Sequence, residues 1–128
     1  MSDAFKDSIQ QMETLDLNVL QSFYGDLTDA EMKDVLQRFY HEAKLYHQRL
    51  MIAIEMQNVL EVIQVSHSLK SMAAISGAEQ YSTLCMWIER MMRADELDEL
   101  MELSLYLSPF WQELEQSIQA QLGPEVPI

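Results

Sequence analysis

The chain has 128 residues, 48% of them apolar, which is enough for one core of ordinary size and too few for two domains. Eight basic against twenty-one acidic residues give a formal charge of −13, which opposes binding to nucleic acid or to an anionic membrane unless a local basic patch exists. No such patch is visible among basic residues scattered from Lys6 to Arg93; residues 1–15 lack the pattern of a secretory signal, no later run could span a bilayer, and Cys85 has no internal disulfide partner. The expected location is the cytoplasm.

The three glycines stand far apart and the three prolines all lie near the end, so long uninterrupted helices are expected. Residues 1–15 read as an N-terminal extension. A short helix over 16–24 follows through Leu17, Leu20 and Phe23, ended by Gly25. Thr28 and Glu31 have the spacing of a capping box and open a second helix, with the stripe Met32, Val35, Leu36, Phe39, Ala43, Tyr46, Leu50 and Ala53. Asn58 and Glu61 suggest the same start for a third helix reaching about residue 75, and Tyr81, Leu84, Cys85, Ile88, Met91 and Met92 mark a fourth.

Asp95 with Asp98 is the expected cap of a fifth helix, whose stripe is Leu100, Leu103, Leu107, Phe110, Leu114 and Ile118, and Pro109 should bend or break it. Residues 123–128 read as a flexible tail. The pattern predicts an all-α fold, an antiparallel up-and-down four-helix bundle over residues 16–122 with a short additional N-terminal helix.

The third helix carries the chemistry. At 100° per residue, and relative to His67, Lys70 falls at about −60°, Ser71 at about +40°, Ala74 at about −20° and Ala78 at about +20°. Val62, Val65, Leu69 and Met72 occupy the opposite side, so the imidazole should point away from the core. A neutral imidazole is a competent nucleophile near pH 7 and can attack phosphorus, while a neighbouring ammonium can stabilise the oxygens of a transferring phosphoryl group. Small residues at 71, 74 and 78 would let another protein approach, with Leu60, Ile63 and Gln64 extending the docking face. A histidine with a lysine three residues later is, taken alone, more often an ordinary surface pair, and only the combination points to chemistry.

That combination, His67-Ser68-Leu69-Lys70 followed by Gly77 and Ala78, closely resembles the signature of histidine phosphotransfer domains of the stand-alone type. Leu84, Cys85, Ile88 and Glu89 resemble the downstream leucine, cysteine and apolar-acidic pair of many members. The resemblance covers about residues 16–118 and is most specific over 65–89. It implies a phosphorelay carrier: His67 takes a phosphoryl group from a receiver-domain phosphoaspartate and passes it to the aspartate of another receiver, with Lys70 assisting electrostatically and Gly77 as a structural element of the motif. The implied partners are the receiver domains of a hybrid sensor kinase and of a response regulator, with Mg²⁺ on the receiver and no cofactor on this chain. Many members have glycine where this chain has Ser71, a small residue where it has Met72, and some have glutamine where it has Glu89.

Other readings are weaker. A kinase needs a glycine-rich nucleotide-binding region, which is missing, so the chain is not expected to be an enzyme with its own ATP site. His41 and His47 are six apart, without the spacing of a helical ligand pair, and no metal is expected. Met32, Met91, Met92 and Met101 read as core filler, Tyr40, Tyr46, Tyr81 and Tyr106 as half-buried, and Cys85 as a buried thiol. The alternative function is a helical adaptor that binds or sequesters a receiver without being phosphorylated.

Overall fold

The computed structural model describes residues 3–124 and residue 126, and among them every regular element is a helix. These are α1 (Asp3–Gln10), α2 (Leu17–Tyr24), α3 (Asp29–Glu55), α4 (Val59–Ile75), α5 (Glu79–Arg93), α6 (Leu97–Ser104) and α7 (Leu107–Leu122).

Local chemistry sets most of these boundaries. Asp16 caps α2 by accepting from the Asn18 amide, and Thr28 and Glu31 form the reciprocal capping box that opens α3. Asn58 opens α4 by accepting from the Glu61 amide. Helices α3, α4 and α5 all stop in the same turn, in which one residue at positive φ lets two amides turn back onto the last carbonyls. That residue is Gln57 (φ 54°) after α3, Gly77 (φ 82°) after α4 and Asp95 (φ 57°) after α5.

The core forms where the apolar stripes meet. Helix α3 packs against α4 and α7, α4 against α5, and α5 against α6 and α7. Leu36, Leu50, Val62, Leu69, Leu84, Ile88, Leu103, Leu114 and Ile118 are fully or almost fully buried, which is the removal of apolar area from water that drives folding. The stripe expected for one fifth helix belongs to two, separated at Leu105 and Tyr106, and Pro109 sits in the first turn of α7, where its missing N–H leaves no helical bond unmade. No helix among the described residues is long and apolar enough to cross a membrane.

Four expectations change or are filled in. Asp95 does not cap α6: it takes the left-handed turn that ends α5, and Glu96 precedes α6 without a side-chain cap bond. Within the expected N-terminal extension, Asp3–Gln10 form α1, which buries Ile9, and the Gln80 side-chain amide donates to the carbonyls of Ile9 and Gln10. Met101 is exposed on α6, although Met32 and Met92 are buried and Met91 is packed against the core. Tyr40 and Tyr81 are fully buried rather than half-buried. Of the expected tail only residues 123, 124 and 126 are described, and there the Gln119 side chain donates to the carbonyls of Gly123 and Val126.

Candidate functional site

His67 lies in the middle of α4, whose other face is locked into the core through Val62, Val65 and Leu69. Ser66 is buried beside them and satisfies its hydroxyl by donating to the Val62 carbonyl. Two further contacts fix the C-terminal half of α4. The Ser82 hydroxyl of α5 donates to the Lys70 carbonyl at 2.8 Å, and the Asp16 amide at the start of α2 donates to the Gly77 carbonyl at 2.8 Å. A Cβ on Gly77 would lie 2.1 Å from the Asp16 carbonyl oxygen, so both the positive φ and the close approach of α2 require glycine there.

The imidazole side chain of His67 is 57% exposed, but its Nδ1 edge is tethered. Glu89 of α5, with a side chain only 8% exposed, places its two carboxylate oxygens 3.3 and 3.2 Å from Nδ1. A carboxylate only accepts, so Nδ1 carries the proton and the lone pair is left on Nε2, away from the tether. The same carboxylate accepts from Lys70 Nζ at 2.8 Å and from Arg93 Nε at 3.0 Å and Nη2 at 2.9 Å. Burial pushes the Glu89 carboxyl up, yet the hydrogen bonds from Lys70, Arg93 and His67 outweigh it and hold the group at about 2. Glu89 is therefore ionised at neutral pH.

An open groove of about 430 Å³ lies beside the histidine, lined by Tyr46 and Arg49 of α3, Ile63, Gln64, Val65, His67 and Ser68 of α4, and Arg93 of α5. Arg49 packs over the Tyr46 ring at 5.1 Å and pairs with Glu61 of α4 at 2.5 Å. Basic residues scattered in the sequence do gather here, each against an acid: Lys70 and Arg93 converge on Glu89 beside His67, and Arg49, paired with Glu61, stands on the same groove. They come from three different helices, so no run in the sequence shows them.

Most of the expected docking residues share the accessible face. Leu60, Gln64, Ser71 and Ala74 are exposed, and Ile63 is partly so. Ala78 is a correction. It is fully buried, because α4 ends at Ile75 and the turn through Gly77 folds residue 78 under the start of α5, where helical angles no longer apply. The sequence reading met Glu89 only through the family resemblance, without giving it a role, and did not use Arg93. The signal that could have found them is an acid on the buried stripe of α5, between Cys85 and Met92, with a base four residues on.

His47, by contrast, is structural. It is buried, stacks on Trp111 at 4.8 Å and shares a hydrogen bond through Nδ1 with the Tyr81 hydroxyl. Burial lowers it to about 4, against a weaker opposing pull from Glu115, so it is neutral at pH 7. Cys85 is fully buried next to Tyr81, and burial pushes its thiol up, which makes it inert.

An all-helical fold that holds an exposed histidine against a buried, cation-neutralised carboxylate defines a small helical module with one imidazole presented to solvent. Residues 34–122 match the family model of the Hpt domain, and the chain belongs to that family. Domains of this family are phosphocarrier modules of two-component signalling rather than kinases. Searches of curated proteins and of solved structures found no match.

Proposed function

We propose that the protein is a phosphoryl carrier of a multistep relay, accepting a phosphoryl group on Nε2 of His67 from the phosphoaspartate of one receiver domain and returning it to the aspartate of another. The observation that carries this reading is the pairing of an exposed imidazole with an Nδ1 held by buried Glu89. The proposed frame is an antiparallel up-and-down four-helix bundle of α3, α4, α5 and the α6–α7 pair, with α1 and α2 as additions at its N-terminal side.

The step balances without an external base. The Nε2 lone pair forms the N–P bond as the aspartyl O–P bond breaks, and the leaving carboxylate takes the electron pair. The product imidazole bears phosphorus on one nitrogen and a proton on the other, so it becomes formally cationic, and the Glu89 carboxylate lies beside that new charge. Lys70 and Arg93 keep Glu89 ionised and add positive potential for the phosphoryl oxygens. Glu89 has both oxygens committed to these partners and makes a poor ligand for a free cation, which supports assigning Mg²⁺ to the receiver and none to this chain. Leu60, Ile63, Gln64, Ser71 and Ala74 form the face on which the receivers of a sensor kinase and a response regulator would dock.

The test is incubation with a panel of phosphorylated receiver domains, followed by intact mass and acid lability of the adduct. The expected result is one acid-labile phosphate on the wild type and none on His67→Gln. Tight binding to a receiver with no adduct would replace the carrier by a sequestering adaptor.

A further inference from the structure

We infer that Arg49 is a specificity-determining residue of the same site, a cation parked on Glu61 in the free protein and exchanged onto a carboxylate of the docking receiver. This rests on the carrier reading. Three observations carry it: Arg49 lines the groove that holds His67, its side chain is about half exposed, and among the described residues its ion pair is to a side chain of the neighbouring helix rather than to a buried anchor. The Tyr46 ring packs against the guanidinium at 5.1 Å, a stacking contact that leaves the N–H edge free to hydrogen-bond.

The location separates its role from that of Lys70 and Arg93. Glu61 and His67 are six residues apart on α4, about 9 Å along the axis, so a guanidinium at Glu61 is too far to touch a phosphoryl group on Nε2. It is well within the footprint of a protein interface, which buries about 800 Å² on each partner. A partner fits this face if it brings apolar surface to Leu60 and Ile63 and a carboxylate to the α3 side of the groove. The molecule as a whole is strongly acidic, with a formal charge of −13, so the groove where Arg49, Lys70 and Arg93 gather is where an acidic partner meets the least repulsion. Glu61 competes with the partner for Arg49, and the exposed pair is weak enough to exchange.

A structural role for the pair, tying α3 to α4, predicts something different, and a charge swap distinguishes the two. The probe is a receiver domain shown to phosphorylate wild-type His67, and the readout is the dependence of the transfer rate on receiver concentration. Arg49→Gln should raise the half-saturating concentration about tenfold and change the saturated rate less than threefold, as expected for lost docking charge. Glu61→Gln, which frees Arg49, should lower the half-saturating concentration and steepen its dependence on salt. The double variant R49E/E61R restores an ion pair of reversed sense and should remain as weak as Arg49→Gln or weaker. An Arg49→Gln value within twofold of wild type, or recovery in the swapped variant, would overturn the inference. Phosphoramidate supplies a donor without a docking surface: labelling of His67 by it, with no labelling from any receiver, would count against the carrier reading rather than against Arg49 alone.

Discussion

His47 and His67 are both held through Nδ1 by a residue of α5, His47 by the Tyr81 hydroxyl and His67 by the Glu89 carboxylate. The surroundings then separate them. His47 lies 7% exposed between Trp111 and Tyr81, where burial keeps it neutral. His67 stands on the accessible face of α4 and lines an open groove. The two tethers also differ in chemistry. A phenol can donate or accept, so either neutral tautomer of His47 fits, whereas a carboxylate only accepts and fixes one tautomer of His67. Placement of the ring relative to solvent, combined with the acceptor on Nδ1, makes one imidazole part of the core and leaves the other on the surface with its lone pair on Nε2.

The sharpest way to break this contrast is to exchange the two losses. His67→Gln should abolish phosphoryl uptake, by at least about a thousandfold, as loss of a nucleophile does elsewhere. Its thermal midpoint should stay close to wild type, because an exposed side chain is replaced. His47→Ala should do the reverse: a loss of about 3 kcal/mol from the cavity against Trp111 and the orphaned Tyr81 hydroxyl, with labelling per folded molecule within about twofold of wild type. Denaturant titration and labelling on the same samples measure both. Loss of uptake in a well-folded His47→Ala would show that the two regions are not separable.

This contrast was only half legible in the sequence. The exposure of His67 followed from helical angles alone, since Val62, Val65 and Leu69 define the opposite face. The capping box at Thr28 and Glu31, the start at Asn58 and the break near Pro109 were equally readable, because each depends on neighbours within four residues. Glu89 was not, since its meaning comes from contacts with residues 19 and 22 positions away on another helix. Asp95 was misread because an acid before a helix and an acid in a left-handed turn look alike in sequence, and Ala78 because periodicity was carried past the end of α4. Arg49 and Arg93 sit far apart in the chain and meet only at the groove.

The pH dependence of stability sharpens the comparison further, because the two regions titrate in different windows. His47 resists protonation in the fold, at about 4 against an ordinary 6.5, so between these values the unfolded chain binds more protons and stability falls as the pH falls. Above pH 6.5 both states are neutral and the contribution vanishes. The loss by pH 4 is at most about 3 kcal/mol for this group. Glu89, held at about 2 against an ordinary 4.5, stabilises fully above pH 4.5 and loses its contribution as the pH falls toward 2. Denaturant titrations from pH 7 to pH 4 should therefore show a decline that is flattened in His47→Phe, and an equal decline in that variant would assign it to other groups.

Glu89→Gln should give the smallest effect, and it asks what the charge of the tether adds to its geometry. The amide oxygen can still accept from Nδ1–H, so the tautomer and the exposure of the imidazole are preserved. What is lost is the negative charge beside an imidazole that becomes cationic on phosphorylation, and the common partner of Lys70 and Arg93. Those cations are 30% and 57% exposed and can turn to water or to the phosphoryl oxygens, so the variant should fold with a modest loss of stability. Forward transfer to His67 should slow roughly threefold, and Glu89→Leu, which removes charge and acceptor together, should slow it about tenfold or more. If Gln and Leu are equally slow, the charge is what matters; if Gln matches wild type and Leu does not, the tether acts by fixing the ring. Should neither variant change the rate, Glu89 is only the buried anchor of Lys70 and Arg93, and the exposed imidazole suffices by itself.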